Sequence, residues 1–367
     1  MHNSGEMNGI EARYLRRFAK WLFITFSLSI LLLFSITLAA SVGPLQIDVE
    51  KVLGIIAHRF PIIGDMINSY WTPLEESVIL QLRLPRVLSA TLVGVALSVA
   101  GVIFQCIFRN PMADPYMLGL ASGAGFGATL VVVLGIGLSQ LSVFYAIPLM
   151  AFACGTLTLF LVYGITKAGF GDPILRLILA GIAVSSFFSS LISILMAIAG
   201  ESVHAVLSWL FGGFPMSRWE YVNIAAPIIL LSLALIYVFA RDLNVMLLGD
   251  EEAKYLGVEV EKVRKRMLIL SSLITAVAVS ISGIIGFIGL VVPHMTRILV
   301  GFDHRILIPS SALIGASLLV LCDTIARTVL RPIVLPTGVV TAMLGAPFFI
   351  YLLIKSGRAG RKGGRLW

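Results

Sequence analysis

The chain has 367 residues, of which 58% are hydrophobic and 13% charged, with a formal net charge of +8. That composition excludes a water-soluble domain of ordinary make-up. The surplus of base sits between long apolar runs, where an anionic membrane leaflet attracts it, so nucleic acid is excluded as its partner.

Lipid offers the backbone no hydrogen bonds, so an apolar chain crosses it as helices of roughly 20 residues. Runs near 18–41, 84–107, 114–137, 143–165, 174–199, 221–240, 267–282, 284–300, 306–326 and 336–354 meet that need. They predict an all-α polytopic membrane protein with about ten transmembrane helices. The seventh and eighth runs are short and parted only by Ser282–Gly283, which leaves one fewer span as the alternative.

The first run, "RRFAKWLFITFSLSILLLFSITLAAS", has the bases, apolar stretch and small residues of a signal peptide. Its apolar part is about 20 residues, longer than the usual 7–15 of a cleaved segment, and many spans follow, so a retained helix is predicted. Next comes "DVEKVLGIIAHRF", where Val49, Val52, Leu53 and Ile56 recur at helical spacing and predict a short interfacial helix. After the second run, "FRNPMADPYMLGLASGAGFGA" places two prolines and then Gly119, Gly123, Gly125 and Gly127 around a turn. Asp114 suits an N-cap before Pro115. The glycines suit close helix packing better than a ligand. Trp209 and Trp219, in the loop after the fifth run, suit a headgroup boundary.

Orientation follows from Lys and Arg. With the N-terminus inside, the outer segments hold only Lys51, Arg59, Arg83, Arg86, Arg218, Arg327 and Arg331, and all other bases fall inside. Both termini are therefore predicted to be cytoplasmic. Two similar halves, one after the first span and one after the sixth, would form an inverted repeat, a common transporter plan.

Enzyme chemistry is hard to place. The chain has no phosphate loop, no metalloprotease helix and no nucleophile elbow. Its five histidines lack metal-ligand spacing, and His294 and His304 read as solvated interfacial residues. Cys106, Cys154 and Cys322 read as packing residues. Asp323 and Arg327, four apart, predict an ion pair near the outer boundary. So few intramembrane acids disfavour an ion- or proton-coupled secondary transporter, which is kept as the alternative.

One passage does not fit an oily protein: "GDEEAKYLGVEVEKVRKR", Gly249 to Arg266. Asp250 can cap a short helix with Glu251 and Glu252 in its first turn, and Gly257 can end it. A second short helix is expected from Glu259. The pair would present Ala253, Leu256, Val258 and Val260 amid charges, which favours a partner groove over a plain connecting loop.

The segments "QLRLPRVLSATLVGVALSVAGVIFQCIFRNPMADPYMLGLASGAG", "GDEEAKYLGV", "SGIIGFIGLVVPHMTRILVGFDHRILIPSSALIGASLLVLCDTIAR" and "LPTGVVTAMLGAPFFIYLL" resemble the permease subunits of type II ABC importers for iron–siderophore, haem and cobalamin. The resemblance runs from about residue 15 to residue 357. It implies a single transmembrane permease domain over 1–367, in the cytoplasmic (inner) membrane, with a cytoplasmic tail at 1–17, coupling helices at 241–266 and a basic cytoplasmic tail at 355–367. It implies a homodimer with two ABC ATPase subunits and one external substrate-binding protein. ATP and magnesium would reside on the ATPase, and this chain would hold no cofactor or metal and catalyse nothing.

From the residues alone, Arg83 and Arg86 are open to snorkelling or docking; the resemblance assigns them, with Arg327, to docking of the binding protein. It assigns Asp250, Glu251, Glu252, Ala253, Leu256, Gly257 and Val258 to ATPase coupling. Along the fifth and tenth helices it implies a pathway past Ser185, Ser186, Ser189 and Met196, and past Thr337, Thr341 and Met343. The gate before the fifth helix, "GFGDPILRL", has Ile174 and Leu175 where family members carry small hydroxyl residues, which predicts a hydrophobic constriction. The implied cargo is a ferric siderophore first, then haem, then cobalamin.

Overall fold

The structure is a computed structural model that describes residues 4–59, 64, 68–136, 140–167 and 173–360. Its helices are α1 (Ser4–Ser41), α2 (Val49–His58), α3 (Pro73–Ser77), α4 (Leu84–Ile107), α5 (Leu120–Leu134), α6 (Gln140–Lys167), α7 (Pro173–Ile198), α8 (Val203–Leu210), α9 (Trp219–Val238), α10 (Ala240–Met246), α11 (Asp250–Tyr255), α12 (Val260–Ser282), α13 (Ile288–Val300), α14 (His304–Thr328) and α15 (Thr337–Gly360). No strand occurs among the described residues. Seven helical stretches are long and apolar enough to cross a membrane, and Leu120–Leu134, Ile288–Val300 and Thr337–Tyr351 are shorter apolar helices that match the remaining predicted runs.

The predicted tails are more helical than expected. α1 starts at Ser4 and α15 continues to Gly360, while residues 1–3 and 361–367 lie outside the described residues. The interfacial helix is present as α2, but Val52 and Ile55 form its buried face, against Trp71 and Ile79. Val49 and Leu53 are exposed.

α3 and α4 form one continuous rod from Pro73 to Ile107. A π-helical turn, Val78–Arg83, joins them just before Pro85. Proline has no N–H and its ring crowds the carbonyl four residues back, so a wider turn at this point admits it without breaking the rod.

α4 is the centre of the molecule and packs on α14, α12, α13 and α9. Its close approaches are made by glycine. A Cβ on Gly94 would collide with the backbone at Gly315 of α14, and one on Gly101 with the backbone of Gly289 in α13. Such contacts, rather than a hydrophobic force between helices, hold apolar helices together in lipid.

In each predicted half the second helix is short and is entered through left-handed backbone. Gly119, at φ 78°, precedes α5, and Gly283, at φ 66°, and Phe287, at φ 70°, precede α13. Before α5, Asp114 caps a single 3-10 turn, Pro115–Leu118, by accepting from the Tyr116 amide at 2.8 Å. A positive φ is unusual for phenylalanine. Its ring lies where a Cβ on Gly345 of α15 would fall, so the missing side chain there makes room for it.

Candidate functional site

The polar residues of the chain gather at the two ends of the α4 rod. At the end after Ile107, the charged insert does not form two short helices. It forms one short helix, α11, followed directly by the long α12, because Val260, Val263 and Met267 are buried on one continuous face. Asp250 is not an N-cap, because Gly249 precedes the helix at φ 140° and no side-chain cap forms. The Asp250 carboxylate instead accepts from two arginines, Arg109 at the end of α4 and Arg264 of α12, the second at 2.6 Å. Arg109 has a left-handed backbone, φ 45°, and also donates to the Met246 carbonyl of α10 at 3.3 Å. One carboxylate thereby ties α11 to both the α4 rod and α12.

The end of α11 follows the expected glycine signal. Gly257, at φ 85°, donates to the Lys254 carbonyl at 2.9 Å, and Val258 donates to the Ala253 carbonyl at 3.0 Å. These two bonds make a Schellman stop, which satisfies carbonyls the helix leaves over. Ala253 is fully buried and so is not part of the presented surface. Tyr255, 88% exposed, and Leu256, 63% exposed, form the protruding apolar knob. Glu251 and Glu252 stand exposed beside it, Glu251 paired to Lys254 at 3.1 Å. The Lys262 hydrogen bond holds the Glu259 carboxyl below its ordinary pKa. Sequence reasoning missed Tyr255 and Arg109, since nothing in spacing distinguishes an exposed tyrosine or predicts a bond 141 residues along the chain.

At the other end two of the three predicted arginines, Arg86 and Arg327, meet on the buried Asp323, and Arg83 lies beside Arg327. Arg86 donates to both Asp323 oxygens, at 2.9 and 2.8 Å, and Arg327 donates to one at 3.1 Å, as the four-residue spacing predicted. Thr337 adds a hydroxyl bond at 3.0 Å. Arg83 is not free for docking: it is buried and donates to the carbonyls of Ala40 and Ser41 at the end of α1 and of Leu45 in the turn that follows. The α1 backbone turns out of its helix here and leaves carbonyls that a guanidinium can satisfy. Arg331 is exposed.

The predicted pathway residues divide. Ser186 and Ser189 of α7 and Met343 of α15 are exposed, while Ser185 and Met196 are half-buried. Thr337 and Thr341 are buried, held by Asp323 and by the Gly338 carbonyl, and Thr341 lines a cavity with Phe287, Leu318 and Phe348. α7 packs on α5 and α6, and α15 on α14 and α13, so the two helices lie on separate parts of the chain with apolar faces outward. Ile174 and Leu175 occupy the first turn of α7, Leu175 exposed, and Arg176 donates to the Thr166 carbonyl of α6 at 2.7 Å. Residues 169–172 of the predicted gate lie outside the described residues. His304 is buried rather than solvated, with Nδ1 2.8 Å from Asn244 Oδ1. Among the described residues no cluster of three His, Cys, Asp or Glu side chains could hold a metal ion.

Residues 31–355 match the FecCD transport family. The chain belongs to the FecCD transport family. This FecCD chain is 41% identical to the hemin transport system permease protein HmuU of Yersinia pestis, over 77% of this chain and 85% of that one. It is 37% identical to the cobalamin import system permease protein BtuC of Halobacterium salinarum, over 86% and 87% respectively. A solved structure described as an inward-facing metal-chelate type ABC transporter superposes on it with a TM-score of 0.78 at 34% identity, covering 90% of this chain and 99% of the other. Both polar ends of the FecCD fold, around Asp250 and around Asp323, lie inside the matched residues.

Proposed function

We propose that this FecCD chain is the membrane permease of an ABC importer for a metal chelate, working as a homodimer with two ATPase subunits and one external binding protein. The observation that carries the reading is the apolar knob of Tyr255 and Leu256, mounted on a helix whose base is clasped to α4 and α12 through Asp250. Such a knob fits a cleft on an ATPase, and its clasp would pass displacement straight into the α4 rod. ATP and magnesium act on that partner, and this chain supplies a two-state path for the cargo.

The cargo is of the siderophore, haem or cobalamin class. The relatives named for haemin and for cobalamin stand at comparable identity, so selectivity is assigned to the binding protein. Arg86, Arg327 and Arg331 form a positive outer end suited to carboxylates of that partner. With the bases sorted as they are, the Asp250 end faces the cytoplasm.

A mild-detergent pull-down of the tagged chain from native membranes tests the reading. Co-purification of a P-loop ATPase in one-to-one ratio is expected. A chain that emerges alone across several detergents overturns it.

A further inference from the structure

α1 packs on α14, while α9 packs on α4 and α12. Between α1 and α9 a cleft of about 490 Å³ remains, floored by Ile306, Ile308 and Pro309 of α14. Its banks are apolar: Phe18 and Leu22 on α1, Leu230 and Ala234 on α9. These residues belong to stretches long and apolar enough to cross a membrane, so the cleft opens to hydrocarbon and an acyl chain matches its lining.

One end of the cleft is polar and basic. Trp21 lies there with the Arg17 guanidinium 4.7 Å and the Arg305 guanidinium 5.3 Å from its ring centre. Both arginines donate to Asp303, each at 2.6 Å. Burial raises the Asp303 pKa, but hydrogen bonds from Arg305 and Asn244 outweigh it and keep the carboxyl ionised, well below its usual range. Asp303 thus fixes the two guanidiniums in place beside Trp21. Arg16 and Lys20, both exposed, add positive charge on the same turns of α1, and exposed Arg241 follows Tyr237 on the α9 side. An apolar trough with a fixed cationic mouth has the chemistry of a phospholipid with a negative headgroup.

We propose that this cleft is a binding site for one anionic phospholipid, its acyl chain between α1 and α9 and its phosphate at Arg305, Arg17, Arg16 and Lys20. The bound lipid fills the space between α1 and α9 above α14. The inference is independent of the transport reading, because it concerns lipid retention and not cargo.

The test is native mass spectrometry of the purified full chain, titrated with phosphatidylglycerol or with phosphatidylcholine of identical acyl chains. One phosphatidylglycerol per chain is expected, held about tenfold more tightly than phosphatidylcholine. Arg16→Gln with Lys20→Gln brings the two lipids to within about twofold of each other. Ala234→Trp, an exposed position that a larger side chain fills without entering the core, abolishes retention of both. Folding of each variant is checked by its elution profile and helical circular dichroism. Equal affinity for the two lipids overturns the proposal, as does an Ala234→Trp protein that still retains phosphatidylglycerol. Retention of the headgroup glycerophosphoglycerol alone, as tight as that of the whole lipid, also overturns it.

Discussion

Arg109, at the end of α4, and Asp250, at the start of α11, form an ion pair between segments 141 residues apart, and Arg264 closes on the second oxygen of the same carboxylate. Asp250→Ala releases both contacts and leaves Arg264, 8% exposed, with only the exposed Glu261 as a partner. The local cost is about 2 kcal/mol. We expect the protein to fold, with cargo uptake into proteoliposomes falling by about tenfold or more for that loss of coupling. Uptake at the wild-type rate would show that α11 does not act through the clasp.

The apolar knob makes a separate prediction. Tyr255→Asp with Leu256→Asp adds charge at side chains that contact little within the chain, so thermal stability should not move. Retention of the ATPase in a pull-down should drop by about tenfold or more, as for loss of an apolar anchor at an interface. An unchanged pull-down removes the knob from the docking surface.

Asp323 is the acid that Arg86 and Arg327 share, with Arg83 beside Arg327. Asp323→Asn leaves the half-buried guanidiniums of Arg86 and Arg327 without this counter-charge, at a cost of about 3 kcal/mol. The melting temperature of the purified protein should fall by several degrees, and Arg86→Gln in the same chain should restore part of it. A melting temperature equal to wild type would mean that water, and not Asp323, compensates these charges.

The two kinds of arginine at this end should separate in experiment. Arg331→Glu alters an exposed side chain and should weaken binding-protein association at low salt by about tenfold, with folding intact. Arg83→Glu places a carboxylate against the carbonyls of Ala40 and Ser41, so it should lower the yield of folded protein instead. If Arg331→Glu leaves association unchanged, the positive end is not the docking surface.

Exposed faces on α7 and α15 predict contact between copies. Ser189→Cys or Met343→Cys should give cross-linked dimers in membranes with a short bifunctional reagent. Only intramolecular products would place the pathway within one chain.

The apolar runs made the helices legible, since twenty residues of hydrocarbon-like sequence have few alternatives in lipid. Gly257 was legible too, because a left-handed stop has a residue-specific cause. Asp250 was misread as a cap: local spacing shows a helix start but not the two arginines that tertiary packing brings to it. Arg83 was read as outward for a similar reason. Arg83 and Arg86, either side of Leu84 and Pro85, mark a polar end of a helix, but only the fold shows that the end of α1 offers carbonyls to one of them. Thr337 followed the same pattern, a hydroxyl expected on a path and found on Asp323.

The glycine contacts of α4 limit how this permease can be recombined with its relatives. Gly94 meets Gly315, and Gly101 meets Gly289, at distances that admit no side chain on either partner. A chimera that imports α4 from another family member inherits the spacing of that member's small residues. It will assemble only where α13 and α14 come from the same parent, so the exchangeable unit is this helix trio and not the single span.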